Sequence, residues 1–528
     1  MHEVEIAVIG SGINGLVAAA ELAVAGRRVA LIERNRVLGG FVASGEATVP
    51  GFVHDTYSSW HPLFVSGAAY GEIGPALHER GLEYANSEDV VTAAVGEDGR
   101  VVVAHRDVER TIADFEKATD RTAYRHMLAT MQSRADVVFR ALGSELGPAS
   151  AVRLAARALR SLGRAGSLSL VRDGLTSGQA YVSGHFSGWE VDRLWSPWLL
   201  HAGLSPAAAS GGVMLPVMAA TMHGYGLPVV RGGAARFIDA FERLLDDHGA
   251  LVLRGSAVER IDVVDGRARR LRLSDGETVE ASEAVVACVA PRALYGELLP
   301  REAADRGLSD AAQRYRPGRA AMQIHVALSM PAPWRDERLA GVPVVHVGDG
   351  AAATALACAE AEAGLLPERP TVVVGQQHVL DSSRVPAGHG ALWIQLQELP
   401  FRPIGDAARE LDTSRGWTRE LADAYARRVL ARIARFAPGL ESHVLGLEVI
   451  SPVDLVRHNP NAVDGDPYCG SAELDQNLIW RPFAGAARHR TVVPGLWHIG
   501  AATHPGPGLG GGSGHLAAQQ ILGRRRAR

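Results

Sequence analysis

The stretch that decides the fold is MHEVEIAVIGSGINGLVAAAELAVAGRRVALIE, from Met1 to Glu33. It contains a β-branched run, a glycine loop, a helical segment and a second short strand that ends on an acidic residue. In chain order these parts are Val4 to Ile9, Gly10 to Gly15, Leu16 to Ala25, Arg28 to Ile32 and Glu33. A strand, glycine turn, helix and second strand within about thirty residues form the βαβ unit that binds a dinucleotide. We therefore predict a Rossmann-type domain in an α/β fold.

Each glycine of the loop has a separate predicted task. Gly10 permits the tight turn, Gly12 allows the backbone to approach a pyrophosphate, and Gly15 allows the helix to pack closely on the strand. The helix begins with free N–H groups and a partial positive charge, which attract phosphate. Glu33 is placed to accept hydrogen bonds from adenosine ribose hydroxyls and to repel a 2′-phosphate. The predicted cofactor contacts in this segment are Gly10, Ser11, Gly12, Ile13, Asn14, Gly15 and Glu33.

Length and composition indicate a large folded protein made of several structural units. The chain has 528 residues, of which 47% are hydrophobic and 21% charged, close to the average of globular proteins. The formal net charge of −4 gives no broad attraction to nucleic acid, and we find no nucleic-acid motif. The N-terminus enters a strand without a signal-peptide pattern, so we expect a cytoplasmic protein.

The cysteines and histidines indicate neither a redox pair nor a metal site. Cys288, Cys358 and Cys469 are far apart in the sequence, which suits a reducing compartment and excludes CxxC disulfide-reductase chemistry. The 20 histidines include no pair at HExxH or comparable spacing, so no metal is expected. The most apolar long stretch, Ala207 to Met222, is short and contains Pro216, so a transmembrane helix is not expected either.

The remaining sequence predicts a discontinuous dinucleotide domain into which a substrate domain is inserted twice. Three short strands between Val258 and Ala281 form a meander, and Ala284 to Ala287 follows as another core strand. Strands of a separate sheet are predicted at Ala321 to Leu328, Leu392 to Leu396 and Val444 to Ile450. The predicted boundaries are 1–70, 227–295 and 481–528 for the dinucleotide domain, 71–226 for a mainly helical cap, and 296–480 for an α+β substrate domain.

Several motifs resemble a flavoprotein superfamily that contains amine oxidases and phytoene desaturases. Arg34 to Gly40, ending in Leu38-Gly39-Gly40, resembles its second FAD signature, although Phe41 stands where a basic or small residue is usual. The glycine-rich segment from Gly500 to Gly510 resembles the branch of phytoene desaturases and desaturase-like carotene ketolases. The same likeness extends through Pro50 to Asp55, Trp60 to Leu63, Arg231 to Cys288 and Arg481-Pro482.

The resemblance implies FAD in a glutathione reductase-like domain. We expect the FAD to be non-covalent, because no cysteine or histidine lies in a recognised attachment motif. Gly500 and Ala501 would approach the pyrophosphate, and the run from Gly508 to Gly510 would lie beneath the isoalloxazine. A glycine run before a helix supplies close N–H donors for a flavin carbonyl, where negative charge grows on reduction. Val258 would meet the adenine through its backbone. The contacts implied in this way are Arg34, Gly39, Gly40, Val258, Gly500, Ala501, Gly508, Leu509 and Gly510.

By the same resemblance, the expected activity is dehydrogenation of a hydrophobic, carotenoid-like substrate by hydride transfer to FAD. Three alternatives stay open: carotene ketolase-type oxygenation, a flavin amine oxidase, and a non-catalytic FAD-bearing interaction protein. Amine oxidases of the superfamily usually carry a lysine on a substrate-domain strand, where it holds a water near the flavin. The corresponding strand here, Met322 to Val326, has no lysine, which disfavours the amine oxidase. The electron acceptor and the oligomeric state are left open.

Candidate catalytic residues follow the Gly-Gly signature and lie in the C-terminal glycine segment. Tyr57 and His61 are expected beside the flavin, by analogy with the path that this superfamily takes after the signature. His54, His61 and His504 are candidates for proton transfer, because histidine changes charge near neutral pH. The alternative for each histidine is a hydrogen-bonded structural role.

Two further segments carry weaker signals. Gly348 to Ala353 resembles a second glycine motif, but no second strand and terminal acid follow it, so a nicotinamide site is not expected. The segment from Ala151 to Arg164 places arginines on one face of a predicted helix. Such a face is typical of either a peripheral membrane contact or a solvated surface. The arginines are Arg153, Arg157, Arg160 and Arg164.

Overall fold

A computed structural model describes residues 1–303 and 306–523. The βαβ unit of the N-terminus stands at the centre of a first, seven-stranded sheet. Its strands run in the order Val258–Val264, Arg267–Leu273, Thr278–Ala287, His2–Ile9, Val29–Glu33 and Leu251–Arg254, and Leu496–His498 pairs beside Thr278–Ala287. The sheet therefore joins the beginning, the middle and the end of the chain, as expected for a discontinuous Rossmann-type domain.

The strand Thr278–Ala287 is longer than the sequence indicated. Two strands were predicted, with a break near Ser282, but the structure has one continuous strand. Its first half pairs antiparallel with Arg267–Leu273, and its second half pairs parallel with Leu496–His498. Along its other edge it pairs with His2–Ile9. The strand thus belongs to both the meander and the parallel sheet, and this double pairing keeps it extended through the predicted break.

Four helices cover one face of the first sheet and bury its apolar side chains. The helix after the glycine loop, Ile13–Val24, is almost wholly buried because it lies between the sheet and other helices. Burial of apolar side chains of this kind is the main favourable contribution to folding. The other three helices of this layer are Ala68–His78, Ala235–Asp247 and Gly512–Ile521.

A second, mixed seven-stranded sheet lies apart from the first. Its strands run in the order Val444–Ile450, Ala320–Leu328, Gly390–Leu399, Val372–Gly375, Val344–Val347, Val90–Val95 and Val101–His105. The three strands predicted for this sheet are present. The last two strands come from the region 71–226, which is therefore less helical than predicted, because the buried runs VVTAAV and VVVAH complete the edge of the sheet.

Helices from the first insertion cover one face of the second sheet. The apolar segment that begins near Ala207 forms the buried helix Gly211–Tyr225 in this layer. In the described residues, no helix is long and apolar enough to cross a membrane. The insertion contains Val108–Ala113, Ala118–Gly143, Pro148–Leu175, Gly178–His185, Glu190–Trp195, the 3₁₀ segment Ser196–Ala202 and Gly211–Tyr225.

The remaining elements are short or lie at the edges of the two sheets. Three two-stranded pairs are Ser44–Gly45 with His54–Asp55, Tyr84–Ala85 with Val229–Val230, and Leu365–Leu366 with Gly405–Asp406. The other helices are Pro62–Val65, Pro291–Ala293, Leu294–Leu298, Arg306–Arg314, Ala351–Glu362, Arg419–Ala434 and Pro452–His458.

A buried arginine joins the two parts of the molecule. Arg384, from the second insertion, places Nη1 2.8 Å from Oδ2 of Asp55 and Nε 3.3 Å from Oδ2 of Asp381. Its Nη2 donates to the backbone oxygen of Val230 at 2.6 Å. All three charged side chains are at most 2% exposed. Buried charges are tolerated only when they are paired and hydrogen-bonded, so this cluster fixes the two parts against each other.

Candidate functional site

The glycine loop has the geometry that a dinucleotide requires. Gly10 has a φ of +89°, which L side chains rarely adopt, and a Cβ there would lie 2.9 Å from the oxygen of Cys288. A Cβ at Gly15 would lie 1.9 Å from the oxygen of Gly10, so only glycine fits. A Cβ at Gly12, by contrast, would meet no atom within 4 Å. Gly10 and Gly15 therefore serve the fold, whereas Gly12 faces open space.

Glu33 fixes the start of the loop. Its Oε2 accepts hydrogen bonds from the backbone N–H and the hydroxyl of Ser11, at 2.9 and 2.6 Å. Its Oε1 accepts from the N–H of Asn35 at 2.8 Å. The hydroxyl of Ser11 in turn accepts from the N–H of Gly39 at 3.1 Å. Glu33, the glycine loop and the Gly-Gly signature thus form one hydrogen-bonded unit. Arg34, the predicted contact next to Glu33, is exposed.

A cavity opens between the two sheets at this loop. Its first wall consists mainly of backbone from the glycine segments, and its second wall consists of side chains from the second sheet and the helical insertion. The first wall includes Gly12, Ile13, Asn14, Gly39, Gly500, Ala501, Gly508 and Leu509. The second wall includes Trp198, His201, Met218, Met222, Gln323, Trp393, Gln395, Gln397 and Tyr468.

The structure therefore brings three predicted segments, distant in sequence, to one surface. The glycine loop, the Gly-Gly signature and the C-terminal glycine run all contribute to the first wall. Gly500 and Gly508 have φ of +117° and +121°, a conformation that favours glycine and lets the backbone approach a ligand closely. Gly40 and Gly510 stand next to lining residues. Val258 begins an edge strand of the first sheet and is not a lining residue.

The lining of the cavity carries no charge. In residues 1–303 and 306–523, no Asp, Glu, Lys or Arg side chain lines it. The only lysine of the sequence, Lys117, is exposed and donates to the backbone oxygen of Ser187. The lining polar groups are hydroxyls, amides, thiols and one imidazole, among many apolar and aromatic side chains. The part of this cavity outside the glycine segments therefore suits a neutral ligand.

Tyr57 is one of the predicted catalytic residues, and its side chain lines the cavity. Its ring stacks on His458 with the centroids 4.7 Å apart, and the ring of Phe41 lies 5.0 Å away. Burial raises the pKa of the Tyr57 hydroxyl to about 12, so the phenol is protonated at neutral pH. Phe41, which departs from the superfamily pattern, thus belongs to an aromatic group at the edge of the first wall.

His61 does not line the cavity, which corrects the prediction that it transfers a proton beside the flavin. Its neighbours Trp60 and Pro62 do line it. The imidazole is fully buried behind the wall, where Nδ1 lies 3.0 Å from the hydroxyl of Tyr84 and the ring packs edge-on against Phe237. Burial lowers the pKa of His61 to about 3. The hydrogen bond of Nδ1 and the packing against Phe237 favour the alternative, structural role.

His504 and His54 are also absent from the cavity lining, so proton transfer by His504 stays a prediction. The His504 side chain is 1% exposed, and burial lowers its pKa to about 4. Its backbone oxygen accepts from Nε2 of His489 at 2.8 Å. His54 lies 2.9 Å from the hydroxyl of Thr48, and burial lowers its pKa to about 3.

The sequence analysis missed the polar groups of the second wall. His201 lines the cavity and its Nε2 lies 3.2 Å from Nε2 of His346, while burial lowers the pKa of His201 to about 4. Gln323, Gln395 and Gln397 present amides from adjacent strands. The signal was present in the sequence, because Gln395 and Gln397 alternate with apolar residues at the period of a strand.

The weak second glycine motif is a turn between a strand and a helix. Val344–Val347 leads through Gly348, Asp349 and Gly350 into Ala351–Glu362. Asp349 accepts a hydrogen bond from the N–H of Glu97 at 2.9 Å, and a Cβ at Gly350 would lie 2.3 Å from a carboxylate oxygen of Asp192. The turn is thus packed against protein, and acidic side chains lie where a nucleotide phosphate would need to approach.

Comparisons with known proteins agree with this geometry. The model of the family described as flavin containing amine oxidoreductase matches residues 13–443. A rat protein named pyridine nucleotide-disulfide oxidoreductase domain-containing protein 2 is 26% identical over 560 residues, covering 98% of this chain and 93% of its own. The phytoene dehydrogenase of Streptomyces griseus is 27% identical over 537 residues, covering 99% and 96%.

A solved structure shows the same fold. A putrescine oxidase variant, studied for redesigned cofactor binding, superposes with a TM-score of 0.62 at 17% identity. The match covers 99% of this chain and all of that one. The likeness therefore extends over both sheets and the helical insertion.

Proposed function

Because the chain belongs to the flavin-containing amine oxidoreductase family and is an FAD-dependent oxidoreductase, we propose that it dehydrogenates a mainly apolar substrate at carbon. A hydride would pass to the flavin and a proton would leave the neighbouring carbon, so that a carbon–carbon double bond forms. Phytoene dehydrogenase, among the relatives, is named for a reaction on an apolar polyene.

The first wall fits FAD. The open space at Gly12 lies at the N-terminus of Ile13–Val24, where free N–H groups would hold the pyrophosphate. Glu33 would bind the adenosine ribose, and Gly500, Ala501 and the Gly508 region would lie along the flavin. When bound, FAD supplies a two-electron acceptor. The protein supplies orientation, exclusion of water and backbone donors.

The uncharged lining is the observation that carries the proposal for a neutral substrate. An alkylamine is a cation at neutral pH, and burial of a cation without a partner costs several kcal/mol. No carboxylate in the described part of the cavity lining compensates such a charge. The absence of a lysine on the strand Ala320–Leu328 points the same way, because Gln323 presents a neutral amide there instead.

The aromatic and imidazole side chains have complementary tasks in this proposal. Trp60, Trp198 and Trp393 would exclude water from the reacting carbon, since their rings form apolar parts of the lining. His201 is the one imidazole on the cavity surface in the described residues. Its lowered pKa of about 4 keeps it neutral at pH 7, so it is able to accept a proton but is a weak base.

Anaerobic bleaching of the flavin tests the proposal. The holoenzyme is mixed with carotenoid precursors, cyclic ketones and secondary amines at matched concentrations, and absorbance near the flavin maximum is followed. We expect apolar, carbon-linked substrates to reduce the flavin and amines to leave it oxidised. Reduction by the amines alone, with release of an imine-derived aldehyde, contradicts the proposal and favours the amine oxidase.

We also propose a non-covalent FAD. The two thiols that line the cavity belong to Cys288 and Cys469, and burial raises the pKa of each to about 12. The thiolate is the nucleophilic form of cysteine, so these thiols are poor candidates for attachment to a flavin. Acid precipitation is expected to leave the yellow colour in the supernatant, and colour in the pellet contradicts the proposal.

A peripheral contact with an anionic lipid surface is proposed for the helix Pro148–Leu175. Almost all of this segment is solvent-accessible, and Ala158 is its one buried residue. The segment is interrupted at Gly163, whose φ of +67° is not helical. Before this break the arginines lie on one face of the helix and Val152 and Leu159 lie on another, which is typical of a helix in a membrane interface. The exposed residues are Val152, Arg153, Leu159, Arg160, Arg164, Leu168, Val171 and Leu175, and Arg157 pairs with Asp136.

Vesicle sedimentation tests this contact. The protein is expected to sediment with phosphatidylglycerol vesicles, less with phosphatidylcholine vesicles, and less again at high salt, because the attraction is partly electrostatic. The triple variant Arg153→Gln, Arg160→Gln, Arg164→Gln is expected to weaken binding by about tenfold or more. Equal sedimentation of this variant and the unchanged protein contradicts the proposal.

A further inference from the structure

Besides the indole Nε1 of Trp198, two buried polar atoms of the second wall have no hydrogen-bond partner among the described residues. They are Nε2 of Gln323 and Oε1 of Gln397. The two side chains are 3% and 4% exposed, and both line the cavity. A buried polar group without a partner costs about 1–3 kcal/mol, so native proteins rarely keep one without a reason. A ligand in the cavity would remove this cost.

Neighbouring hydrogen bonds decide the orientation of the Gln397 amide. The hydroxyl of Tyr468 donates its single proton to the backbone oxygen of Leu200 at 3.0 Å. It therefore has only lone pairs to offer Gln397, and the amide Nε2 donates to it at 2.5 Å. This leaves Oε1 of Gln397 as an acceptor. Side-chain amides cannot be oriented from shape alone, but here the chain of donors settles the choice.

The two amides stand on adjacent strands of one wall. Gln323 is paired directly with Gln395 across Ala320–Leu328 and Gly390–Leu399, and Gln397 lies two residues further along the second strand. Residues two apart on a strand share a face, so Gln395 and Gln397 point the same way. The glycine segments that fit FAD form the other wall, so the amides face the side on which a substrate would enter.

We infer that Gln323 and Gln397 bind a hydroxyl group of an otherwise apolar substrate, with Gln323 donating to its oxygen and Gln397 accepting its proton. This inference rests on the proposed function, since it places the substrate between the second wall and the flavin. It narrows the substrate class to apolar alcohols, in which the hydroxyl anchors the molecule and the reacting carbon lies elsewhere. An aldehyde or ketone of the same shape satisfies Gln323 but not Gln397, and a hydrocarbon satisfies neither.

Binding of matched probes to the reduced holoenzyme tests the inference without turnover. Two triples are used, and the members of each differ only in whether one carbon is a methyl, a hydroxymethyl or an aldehyde group. The first is limonene, perillyl alcohol and perillaldehyde, and the second is 2,6,10-trimethyldodeca-2,6,10-triene, farnesol and farnesal. Dithionite keeps the flavin reduced so that no probe is oxidised, and quenching of tryptophan fluorescence reports binding, because three tryptophans line the cavity. In at least one triple, we expect the alcohol to bind about tenfold more tightly than the hydrocarbon and the aldehyde to lie between them.

Substitution of each glutamine by leucine tests the donor role of Gln323 and the acceptor role of Gln397 separately. Gln323→Leu is expected to weaken binding of the alcohol and of the aldehyde by about tenfold. Gln397→Leu is expected to weaken binding of the alcohol alone. Both variants should bind the hydrocarbon as the unchanged protein does, to within about twofold. Gln132→Leu, at an exposed position, is the matched control and should change nothing. FAD content and the flavin spectrum are recorded for every variant.

Two outcomes contradict the inference. If no alcohol binds better than its hydrocarbon in either triple, the wall does not bind a hydroxyl. If both glutamine variants lose FAD, the amides bind the cofactor rather than the substrate. Failure of the proposed function gives a different result, in which alcohols bind in a glutamine-dependent manner but no neutral substrate bleaches the oxidised flavin.

Discussion

The two walls of the cavity are built on opposite principles. The first wall is mostly backbone, in which glycines with left-handed or crowded geometry present N–H groups to a ligand. The second wall consists of side chains, carried by strands and helices of two insertions. Backbone donors suit a constant ligand such as a cofactor, whereas side chains change with single substitutions. The difference indicates that cofactor binding and substrate choice are separable in this molecule.

The largest expected effect comes from Gly12→Val in the first wall. A side chain there meets no protein atom within 4 Å of its Cβ, so the fold should tolerate it, but it occupies the space that the pyrophosphate needs. We expect complete loss of FAD with little change in circular dichroism. Flavin absorbance after purification and reconstitution measures the effect.

Gly15→Ala serves as the contrasting variant. Its Cβ would lie 1.9 Å from the oxygen of Gly10, so the strand and the helix must separate and the protein should be destabilised whether or not FAD is present. A Gly12→Val protein that keeps its FAD would show that the loop does not hold the pyrophosphate.

Arg384→Met should remove the buried ion pairs that join the two parts of the molecule. Removal of the guanidinium leaves the buried carboxylates of Asp55 and Asp381 without their cation. Loss of one partner of a buried ion pair costs about 3–5 kcal/mol, so the free energy of unfolding in urea should fall by that amount. Arg236→Met, which removes an exposed pair with Asp239, should change it by about 0.5 kcal/mol or less. Equal effects of the two variants would contradict the structural role of Arg384.

His61→Asn should reduce the loss of unfolding free energy that the protein suffers as the pH falls. Burial lowers the pKa of His61 from 6.5 to about 3, so the unfolded chain takes up a proton near pH 6.5 that the folded protein refuses until near pH 3. The free energy of unfolding contributed by this group therefore falls as the pH falls, by about 1.4 kcal/mol per unit below pH 6.5. Between pH 8 and pH 5 the variant should lose about 2 kcal/mol less stability than the unchanged protein.

Urea unfolding at pH 8, 6 and 5 measures this difference. His126→Asn, at an exposed position, is the matched control and should keep the original pH dependence. A His61→Asn protein with an unchanged slope would mean that His61 is protonated in the folded state.

The smallest expected effect concerns nicotinamide nucleotides. The turn at Gly348 to Gly350 packs against Asp192 and presents the Asp349 carboxylate, which disfavours a phosphate. NADH and NADPH should therefore leave the flavin oxidised under anaerobic conditions, to within the slow bleaching of a buffer control. Rapid bleaching by either nucleotide would show that a binding site exists in the second part of the molecule.

The first wall was predictable from the sequence because its signals are local. Gly10 to Gly15 and the acidic residue after the second strand lie within one βαβ unit, whose spacing follows from the geometry of the fold. The second wall was not predictable in the same way, since His201, Gln323 and Tyr468 come together only through the pairing of distant strands. His61 was misplaced for a related reason: its neighbours Trp60 and Pro62 line the cavity, and the sequence does not indicate which side chain turns inward.

The contact between the first and last helices sets the order of events during synthesis. Gly514 packs so closely on Ile13–Val24 that a Cβ would lie 2.0 Å from the oxygen of Asn14, and its N–H donates to the Asn14 side chain. Contacts between residues so distant in sequence form late and slow folding. The glycine loop is synthesised long before Gly512–Ile521, the helix that supports it. A chain truncated before this helix should therefore remain colourless in the presence of FAD, because the glycine loop lacks the support of Gly514.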